Sequence, residues 1–444
     1  MKLDKYNNKR NFNKTKEPIG KQIKSKKRLR FCVHLHQARK KHYDLRLEYD
    51  GVMLSWAIPK APSYNGKVKR LAVHVEDHPL SYRHFEGTIP ECEYGAGTVM
   101  LFDTGYYKLI KYNKNTIKFI LYGTRLKGMW TLTRFKDESF LLIKDKDYYE
   151  NYIDINKYIR SIKTNRTIKE IENNIKKKKI DLTSKDKIII DNLTKEDIMN
   201  YYQKIANRML PYLENRIISV IRVPSKNTIF FKKHLENKNN YLEKISIKNK
   251  DYYYILDNIA LFSEVQMNSY EFHIGSSLAS NIDYPNIMVF DLDPDELLDL
   301  KTLRNGVKDL KKILDNLNLK SYLKTSGGKG YHIVIPFNSN ITWNKFYKIS
   351  QNIALLMEKN YPDKYTTNIR KDKRKGKIFI DYMRNQKGAT FSCPYSIKIK
   401  SKHSVSMPIS WDELDKIKPN EITIDKALKM IKKKDPWEDF FTSN

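Results

Sequence analysis

"HLHQARKKHYDLRLEYDG", residues 34–51, alternates polar and apolar side chains from His42 onward. His42, Asp44, Arg46 and Glu48 share one parity, and the residues between them are Tyr or Leu. Successive side chains of a β-strand point to opposite faces, so the pattern predicts a strand with one buried and one polar face. Such a polar face is ordinarily just solvated in an antiparallel sheet. The stretch therefore predicts β-structure and leaves open whether its polar face is a site.

The residue types on that face favour a site. His36 precedes the basic turn, and His42 and Asp44 follow it. Two imidazoles and a carboxylate are ligands that a divalent transition metal prefers, so these residues are candidate metal ligands. Arg46, next on the face, is placed to bind a phosphate oxygen. The alternative is that these residues have no binding role and are the solvated side chains of an ordinary strand.

A second short run, "VHVEDHPLSY", adds further candidates from another strand. It supplies His78 and Tyr82. A histidine beside a bound phosphate can stabilise the transition state or protonate the leaving group. We therefore include His78 and Tyr82 among the candidate catalytic residues.

Bulk composition limits the class of protein. At 444 residues the chain is too long for one comfortable core, and its formal net charge of +33 predicts a polyanionic partner. A compositional bias toward Lys is the alternative source of this charge. Three scattered cysteines, Cys32, Cys92 and Cys393, fit a reducing cytosol. Because no long apolar run or signal-peptide core is visible, we expect no membrane partner and a cytoplasmic location.

Shifts in pattern predict four segments. Residues 1–28 are basic with little apolar content, which predicts a disordered arm. Residues 29–146 contain short alternating runs with Gly and Pro between them, which predicts an all-β, barrel-like domain. Residues 147–179 are polar and charged, which predicts a basic linker. Residues 180–440 alternate helices and strands, which predicts an α/β (α+β) domain.

The C-terminal half carries carboxylates at strand ends. Asp291 and Asp293 end the apolar strand "YPNIMVFDLDP", and Asp381 ends "GKIFID". Three such carboxylates can hold the two divalent cations that in-line nucleotidyl transfer requires. A calcium loop is disfavoured, because its sixth and twelfth positions are Glu296 and Thr302 rather than Gly and Glu. A solvated acidic strand end is the other alternative.

The turn "TSGGKGYH" supplies a second half of this site. It places Ser326, Gly327, Gly328, Lys329 and then His332 between two strands. Glycines let backbone N–H groups approach an oxyanion, and the neighbouring side chains add donors and charge. The turn is not a Walker A loop, because no helix begins after its lysine. Beside three aspartates it predicts a nucleotide triphosphate site.

Taken in order, "FHIGS", "VFDLDP", "KTSGGKGYHIVIP", "IFIDYMRN", "PYSIK" and "VSMPISWDEL" resemble the polymerase domain of bacterial DNA ligase D. That domain belongs to the archaeo-eukaryotic primase superfamily. The resemblance implies two Mg²⁺ or Mn²⁺ ions at the three aspartates. It also implies DNA 5′-phosphate contacts from Lys187 and Lys195. It implies nucleotide contacts from His273, Ser326, Lys329, Arg374 and, where the family commonly has Arg, from Lys398.

Residues 29–146 resemble the 3′-phosphoesterase domain of the same family through "HYDLRLEYDGVMLSWAIPKAPS" and "RLAVHVEDHPLSYRHFEGTIPECEYGAGTV". This resemblance implies that the metal is Mn²⁺, held by the candidate ligands above. It further implies that Lys60 and Arg70 join the phosphate-binding groups Arg46, His78 and Tyr82. No role is assigned to His34 and His84.

The combined resemblance implies a bacterial enzyme of non-homologous end joining that trims 3′ ends and adds nucleotides, preferring NTPs to dNTPs, to primer-template DNA. A Ku-type end-binding protein and a separate ATP-dependent DNA ligase are the implied partners. The K-x-D-G ligase motif is missing, since the nearest string, "EYDG" at residues 48–51, has no lysine. A replicative or plasmid primase and a non-catalytic end-joining scaffold remain the alternatives.

Overall fold

Strands β1 (Arg30–Gln37) and β2 (Lys41–Tyr49) form an antiparallel hairpin across the basic turn. They belong to a computed structural model that describes residues 3–25, 28–176, 179–225, 228–234, 239–337, 341–401 and 403–441. The chain divides into two units, Met1–Lys179 and Ile180–Asn444. Among the described helices, none combines the length and the apolar character that crossing a bilayer requires.

The first unit is built on a closed β-barrel. Its sheet runs in the order β1-β2-β3-β4-β9-β8-β7-β6-β5, and pairing of β1 with β6 closes it. The apolar side chains that alternate along β2, including Leu45, are buried in the core. The predicted barrel is therefore confirmed. The remaining strands of this unit are β3 (Val52–Ile58), β4 (Arg70–His74), β5 (Gly87–Ile89), β6 (Gly97–Tyr112), β7 (Thr116–Gly123), β8 (Lys127–Lys136) and β9 (Ser139–Lys144).

The arm before the barrel differs from the prediction of disorder. Residues 3–25 are ordered against the barrel, with helix α1 at Asp4–Asn8. Tyr6 is fully buried and its hydroxyl donates to the carbonyl of Pro18 (2.7 Å). Low apolar content suggested disorder, but one buried Tyr, with Leu3 and Phe12, is enough when the barrel supplies the rest of the core. Residues 1–2 and 26–27 of the predicted arm lie outside the described residues.

The predicted basic linker also packs within the first unit. It contains helix α2 (Ile168–Glu172), and Tyr152 and Tyr158 are buried. Arg166 forms an ion pair with Glu86 (3.0 Å). Tyr residues that alternate with charge had no regular period, so the sequence did not reveal this packing. Residues 177–178 lie outside the described residues.

The second unit combines a mixed six-stranded sheet, an antiparallel four-stranded sheet and several two-stranded sheets with helices. A six-stranded sheet has the order β22-β23-β19-β21-β20-β25, and a four-stranded sheet has the order β13-β12-β16-β24. The prediction of an α+β domain is confirmed. Its strands are β10 (Ile188–Ile190), β11 (Leu193–Thr194), β12 (Ile218–Ser225), β13 (Thr228–Lys232), β14 (Glu243–Ile247), β15 (Lys250–Tyr254), β16 (Ser269–Ile274), β17 (Ser277–Leu278), β18 (Asn281–Pro285), β19 (Ile287–Pro294), β20 (Tyr322–Thr325), β21 (Tyr331–Pro336), β22 (Tyr365–Thr366), β23 (Ile378–Asp381), β24 (Phe391–Ser392) and β25 (Pro408–Ile409).

Helices cover the six-stranded sheet and bury its central strand. In β19 every residue from Ile287 to Leu292 is buried. Amphipathic helices pack on it because their apolar faces need the same core. The helices of the second unit are α3 (Lys195–Leu213), α4 (Asn258–Gln266), α5 (Leu300–Asn316), α6 (Trp343–Asn360) and α7 (Ile424–Met430), of which α5 and α6 contact the six-stranded sheet. The 3-10 turns of the chain are at Leu80–His84, Ile155–Lys157, Lys371–Arg374, Met383–Asn385 and Trp411–Glu413.

Candidate functional sites

The barrel hairpin brings together the predicted metal ligands. His36 and His42 are direct cross-strand partners, and Asp44 follows on the same face. One ligand atom from each residue lies within 4.8 Å of the others. His42 Nε2 is 3.6 Å from an Asp44 oxygen, and His36 Nδ1 is 4.0 Å from the other oxygen. The hairpin register therefore assembles a compact N,N,O cluster.

This cluster has the chemistry of a cation site. His36 Nε2 is buried and has no hydrogen-bond partner among the described residues. Burial lowers the pKa of His36, which keeps the imidazole in the neutral form that binds metals. Asp44 is held by the Arg46 guanidinium (3.0 Å), which orients the carboxylate. The donor set therefore fits a divalent transition metal ion.

Arg46 connects this cluster to a group of buried polar and aromatic side chains. Its guanidinium donates to the Ser55 hydroxyl (2.9 Å) and lies 3.0 Å from His78 Nδ1. It also lies over the Tyr82 ring, 4.9 Å from the centroid. Burial and the nearby Arg46 lower the pKa of His78 well below its ordinary value. His78 is therefore a neutral hydrogen-bonding group among these side chains.

Three residues of the N-terminal arm complete this group of side chains, and the sequence reasoning missed them. Arg10 lies 3.3 Å from His78 Nε2 and pairs with Glu17 (2.9 Å). Tyr6 packs against the His78 ring (5.0 Å between centroids). The available signal was the pair of aromatic residues in the arm, Tyr6 and Phe12, which a purely solvated tail does not need.

The other predicted residues of the barrel lie at its margins. Lys60 is exposed, and Arg70 donates to the Ala61 carbonyl (2.7 Å). Among the described residues, neither hydrogen bonds to the cluster, so their phosphate contacts stay predictions. His34, which received no role, is fully buried with its Nδ1 accepting from Arg46 (3.4 Å). His84 is exposed next to Arg83.

In the second unit a row of ionisable side chains crosses the six-stranded sheet. Lys324, His332, Asp291 and Asp381 are successive cross-strand partners on β20, β21, β19 and β23. Cross-strand partners lie on one face, so the row places the base, the imidazole and two carboxylates side by side. Asp293 follows Asp291 by two residues and joins the same face. The predicted aspartates thus meet at one end of the central strand.

The electrostatics of these carboxylates fit cation binding. Burial and the neighbouring carboxylates of Asp291 and Asp381 raise the pKa of Asp293 to about 7. In contrast, His332 and Arg384 lower the pKa of Asp291 despite its burial. An Asp291 oxygen is buried without a hydrogen-bond partner among the described residues. A bound cation would reduce the repulsion between these neighbouring carboxylates, and the oxygen without a partner could bind it.

Two basic residues beside the aspartates were missing from the sequence-based site. Arg384 contacts Asp381 (3.0 Å) three residues along the chain. Lys324 is fully buried and donates to the Ser392 hydroxyl (3.1 Å). Burial lowers the pKa of Lys324 to about 7. Nothing in the local pattern of "YLKTS" shows that this lysine faces inward, because that depends on the pairing with His332.

The glycine-rich turn is tight, and its glycine N–H groups bond to the Pro419 carbonyl and to Ser326 Oγ. Gly327 has φ +72°, a conformation that favours glycine. Ser326 Oγ accepts the N–H of Gly328 (2.9 Å), and Lys329 is 72% exposed beside Glu296 (2.8 Å). A Cβ added at Gly327 would lie 2.4 Å from Lys398 Cγ. The turn and Lys398 are therefore in close contact.

His273 and Lys398 share one buried carboxylate. Glu271, which the sequence reasoning missed, contacts His273 Nε2 (2.7 Å) and Lys398 Nζ (2.5 Å). These two partners lower the pKa of Glu271 to about 2 despite its burial. The exposed Phe231 ring lies 5.6 Å from His273. The predicted nucleotide-binding residues are thus held together by an ionised Glu.

The remaining predicted contacts lie at two further points of the second unit. Arg374 lies over the Phe379 ring (3.5 Å), on the strand that carries Asp381. Lys187 and Lys195 are joined by a backbone hydrogen bond (2.9 Å) across the β10–β11 hairpin. Burial and the nearby Lys187 lower the pKa of Lys195. Both ammonium groups donate to backbone carbonyls of the protein, and Lys195 is buried, so the DNA 5′-phosphate contacts of these two lysines stay predictions.

A barrel with a cluster of two histidines and an aspartate, followed by an α+β domain with a row of carboxylates, defines a protein of the phosphoesterase and primase-polymerase class. Residues 194–437 match the family "LigD, primase-polymerase domain", and residues 34–134 match "DNA Ligase D 3'-phosphoesterase domain". The first match covers more than half of the chain. The chain belongs to the LigD primase-polymerase family, as the resemblance predicted.

Individual relatives agree with both matches. The multifunctional non-homologous end joining protein LigD of Pseudomonas aeruginosa is 44% identical over 156 residues, 33% of this chain and 19% of that protein. The bifunctional non-homologous end joining protein LigD of Bacillus subtilis is 31% identical over 274 residues, 59% of this chain and 44% of that protein. The chain therefore spans less than half the length of these two curated relatives.

A solved structure resembles the second unit. The polymerase domain of Mycobacterium tuberculosis Ligase D in complex with DNA superposes with a TM-score of 0.55 and 26% identity. The match covers 59% of this chain and 98% of that domain.

Proposed function

We propose that this protein processes broken DNA ends in bacterial non-homologous end joining. The barrel removes a 3′-terminal ribonucleoside and then a 3′-phosphate, and the second unit adds nucleotides, preferring NTPs, to the resulting 3′-hydroxyl. The observation that carries this proposal is the presence in one chain of the cluster of His36, His42 and Asp44 and, in the second unit, of a row of carboxylates on neighbouring strands. The matches to LigD domains support it.

In the barrel, we propose that His36, His42 and Asp44 hold Mn²⁺. The bound ion would polarise the scissile phosphate and lower the pKa of an attacking water. Arg46 and Arg10 neutralise phosphate charge from two sides of His78. Burial raises the pKa of Tyr82 well above its ordinary value, so this residue stays a hydroxyl donor toward the phosphate.

In the second unit, Asp291, Asp293 and Asp381 would hold two Mg²⁺ or Mn²⁺ ions. When bound, these ions would supply activation of the 3′-hydroxyl and stabilisation of the triphosphate charge. Lys329 can exchange its exposed ion pair with Glu296 for a phosphate, because such pairs are worth little in water. The residues proposed to orient the nucleotide are His273, Ser326, Gly327, Gly328, His332, Arg374 and Lys398. Lys187 and Lys195 are proposed to contact the 5′-phosphate of the DNA. In the barrel, Lys60 and Arg70 are proposed to contact the 3′-phosphate.

The proposed setting is the bacterial cytoplasm at the nucleoid, with DNA ends and primer-template DNA as substrates. A Ku-type end-binding protein would recruit the enzyme, and a separate ATP-dependent ligase would seal the product. The net charge of +33 supports a nucleic-acid partner.

A reaction series on one primer-template tests the proposed function. The primer ends in a 3′-phosphate, a 3′-ribonucleotide or a 3′-hydroxyl, and each metal and nucleotide class is supplied separately. We expect trimming of the first two ends and extension of the third. Synthesis on single-stranded template without a primer would favour a primase instead, and failure of every reaction would favour a scaffold.

Arg10→Ala tests the contribution of the N-terminal arm to the barrel site. We expect 3′-phosphate release to fall about 100-fold, because one of the charged donors beside His78 is lost. Nucleotide addition should not change. Lys16→Ala is the matched control, since this arm cation is exposed. Equal rates for Arg10→Ala and wild type would show that the arm takes no part in trimming.

A further inference from the structure

A cavity of about 120 Å³ in the second unit has no role in the reactions described above. It lies between the β14–β15 hairpin, the start of β12 and the segment that follows Asn385. Tyr252 and Trp343 are among its walls, together with isoleucine side chains. Lys233 and Lys387 also line it. The cavity therefore combines flat apolar walls with positive charge.

The register of the sheet places this cavity beside the nucleotide site. Ser219, which lines the cavity, is the direct cross-strand partner of His273. Directly opposed residues lie on the same face with Cβ atoms about 5 Å apart. A ligand in the cavity would therefore lie next to the nucleotide that His273 is predicted to contact.

Two buried hydroxyls in the lining lack partners. Ser219 and Ser276 are both fully buried, and neither Oγ atom has a hydrogen-bond partner within the described part of the chain. Leaving a buried hydroxyl unsatisfied is costly, and such groups usually mark a bound water or ligand. A serine hydroxyl can donate and accept, so it can satisfy the edge of any nucleobase.

The size of the cavity separates the possible occupants. One water occupies roughly 10–15 Å³ of a cavity when the volume is measured as the space open to the centre of a water molecule. The cavity is therefore too large for a single hydroxyl group or water. A planar heteroaromatic ring fits the aromatic walls and the two hydroxyls. The exposed ion pair of Lys387 with Asp283 (2.6 Å) can exchange for a backbone phosphate.

We propose that this cavity binds one unstacked nucleobase of the DNA strand beside the nucleotide site. The proposal rests on the proposed nucleotide-adding function of the second unit. Aromatic walls would stack on the base, Ser219 and Ser276 would bind its edge, and Lys233 and Lys387 would bind the adjoining phosphates. Because serine does not discriminate between base edges, the site would accept all four bases.

An abasic scan combined with a cavity-filling variant tests the proposal by DNA binding alone. Each unpaired nucleotide of a labelled primer-template with a single-stranded overhang is replaced in turn by an abasic residue. In wild type we expect one position to weaken binding about ten-fold, as expected for loss of one stacked base. Ser219→Val fills the cavity and removes a hydroxyl, so it should weaken binding of intact DNA by a similar factor and abolish the abasic effect.

The matched control is Ser321→Val, because Ser321 is also buried without a partner for its hydroxyl among the described residues but does not line the cavity. It should retain the abasic effect. Tyr252→Ala, in the surface hairpin, removes one wall and should also abolish the effect if Ser219→Val fails to fold. A uniform scan in wild type, or an abasic effect that persists in both cavity variants, would overturn the proposal.

Nucleotide addition is measured separately on a fully paired primer terminus. If wild type adds nucleotides but the scan is uniform, the base site is wrong and the proposed function stands. If wild type adds none but the scan shows one position that both cavity variants abolish, the base site stands and the nucleotide-adding function is wrong. Weakened binding of free nucleotide, with DNA binding unchanged in Ser219→Val, would assign the cavity to another ligand and contradict the proposal.

Discussion

Asp291→Asn is expected to reduce nucleotide addition by more than about 100-fold while 3′-end trimming continues at the wild-type rate. The substitution keeps the shape of the side chain but removes the charge at the centre of the row formed with His332 and Asp381. Loss of a group that only supports a metal ligand costs about 10- to 100-fold, so loss of a direct ligand should cost more. Extension of a 3′-hydroxyl primer measures the effect.

The control for this prediction is Asp315→Asn, which removes an exposed carboxylate on helix α5. It should extend the primer at the wild-type rate. Wild-type extension by Asp291→Asn would show that the aspartate row is not the polymerase site. Loss of trimming in the same variant would instead indicate a general folding defect, which the melting temperature would reveal.

His42→Ala is expected to abolish removal of a 3′-phosphate, with a loss of more than about 100-fold, and to spare nucleotide addition. His42 is the most accessible of the three candidate metal ligands, with a side chain 24% exposed, so its removal should not disturb the barrel core. The cluster would keep only His36 and Asp44, too few protein ligands for a tight site. Phosphate release and Mn²⁺ affinity, measured on the same preparation, check the prediction.

His84→Ala is the matched control in the same unit, because His84 is exposed and carries no assigned role. It should release phosphate at the wild-type rate. A His42→Ala enzyme that bound Mn²⁺ normally but released no phosphate would remove His42 from the ligand set. Full trimming by this variant would contradict the barrel site altogether.

Much of the site could be predicted because its residues are close in sequence or follow a strand period. His42, Asp44 and Arg46 share one face through the two-residue repeat of a strand, and Asp291 and Asp293 do so in the same way. The turn containing Gly327 was visible from composition. These features depend on the geometry of a single strand or turn, which short stretches of sequence are enough to predict.

The missed residues depend on contacts between distant segments. Arg10 reaches His78 across 68 positions, and Lys324 contacts Ser392 across a similar distance. Glu271 acts only because β16 places it next to Lys398. No short-range period contains such information.

Local chemistry in the sequence therefore determined the strand faces, the candidate metal-binding residues and the family of this protein. Only the tertiary structure decided that the basic arm folds onto the barrel, that a buried lysine joins the aspartate row and that two serine hydroxyls line a cavity beside His273. The physical reason is that burial and partner choice arise from strand register and packing. These join residues that the chain itself keeps far apart.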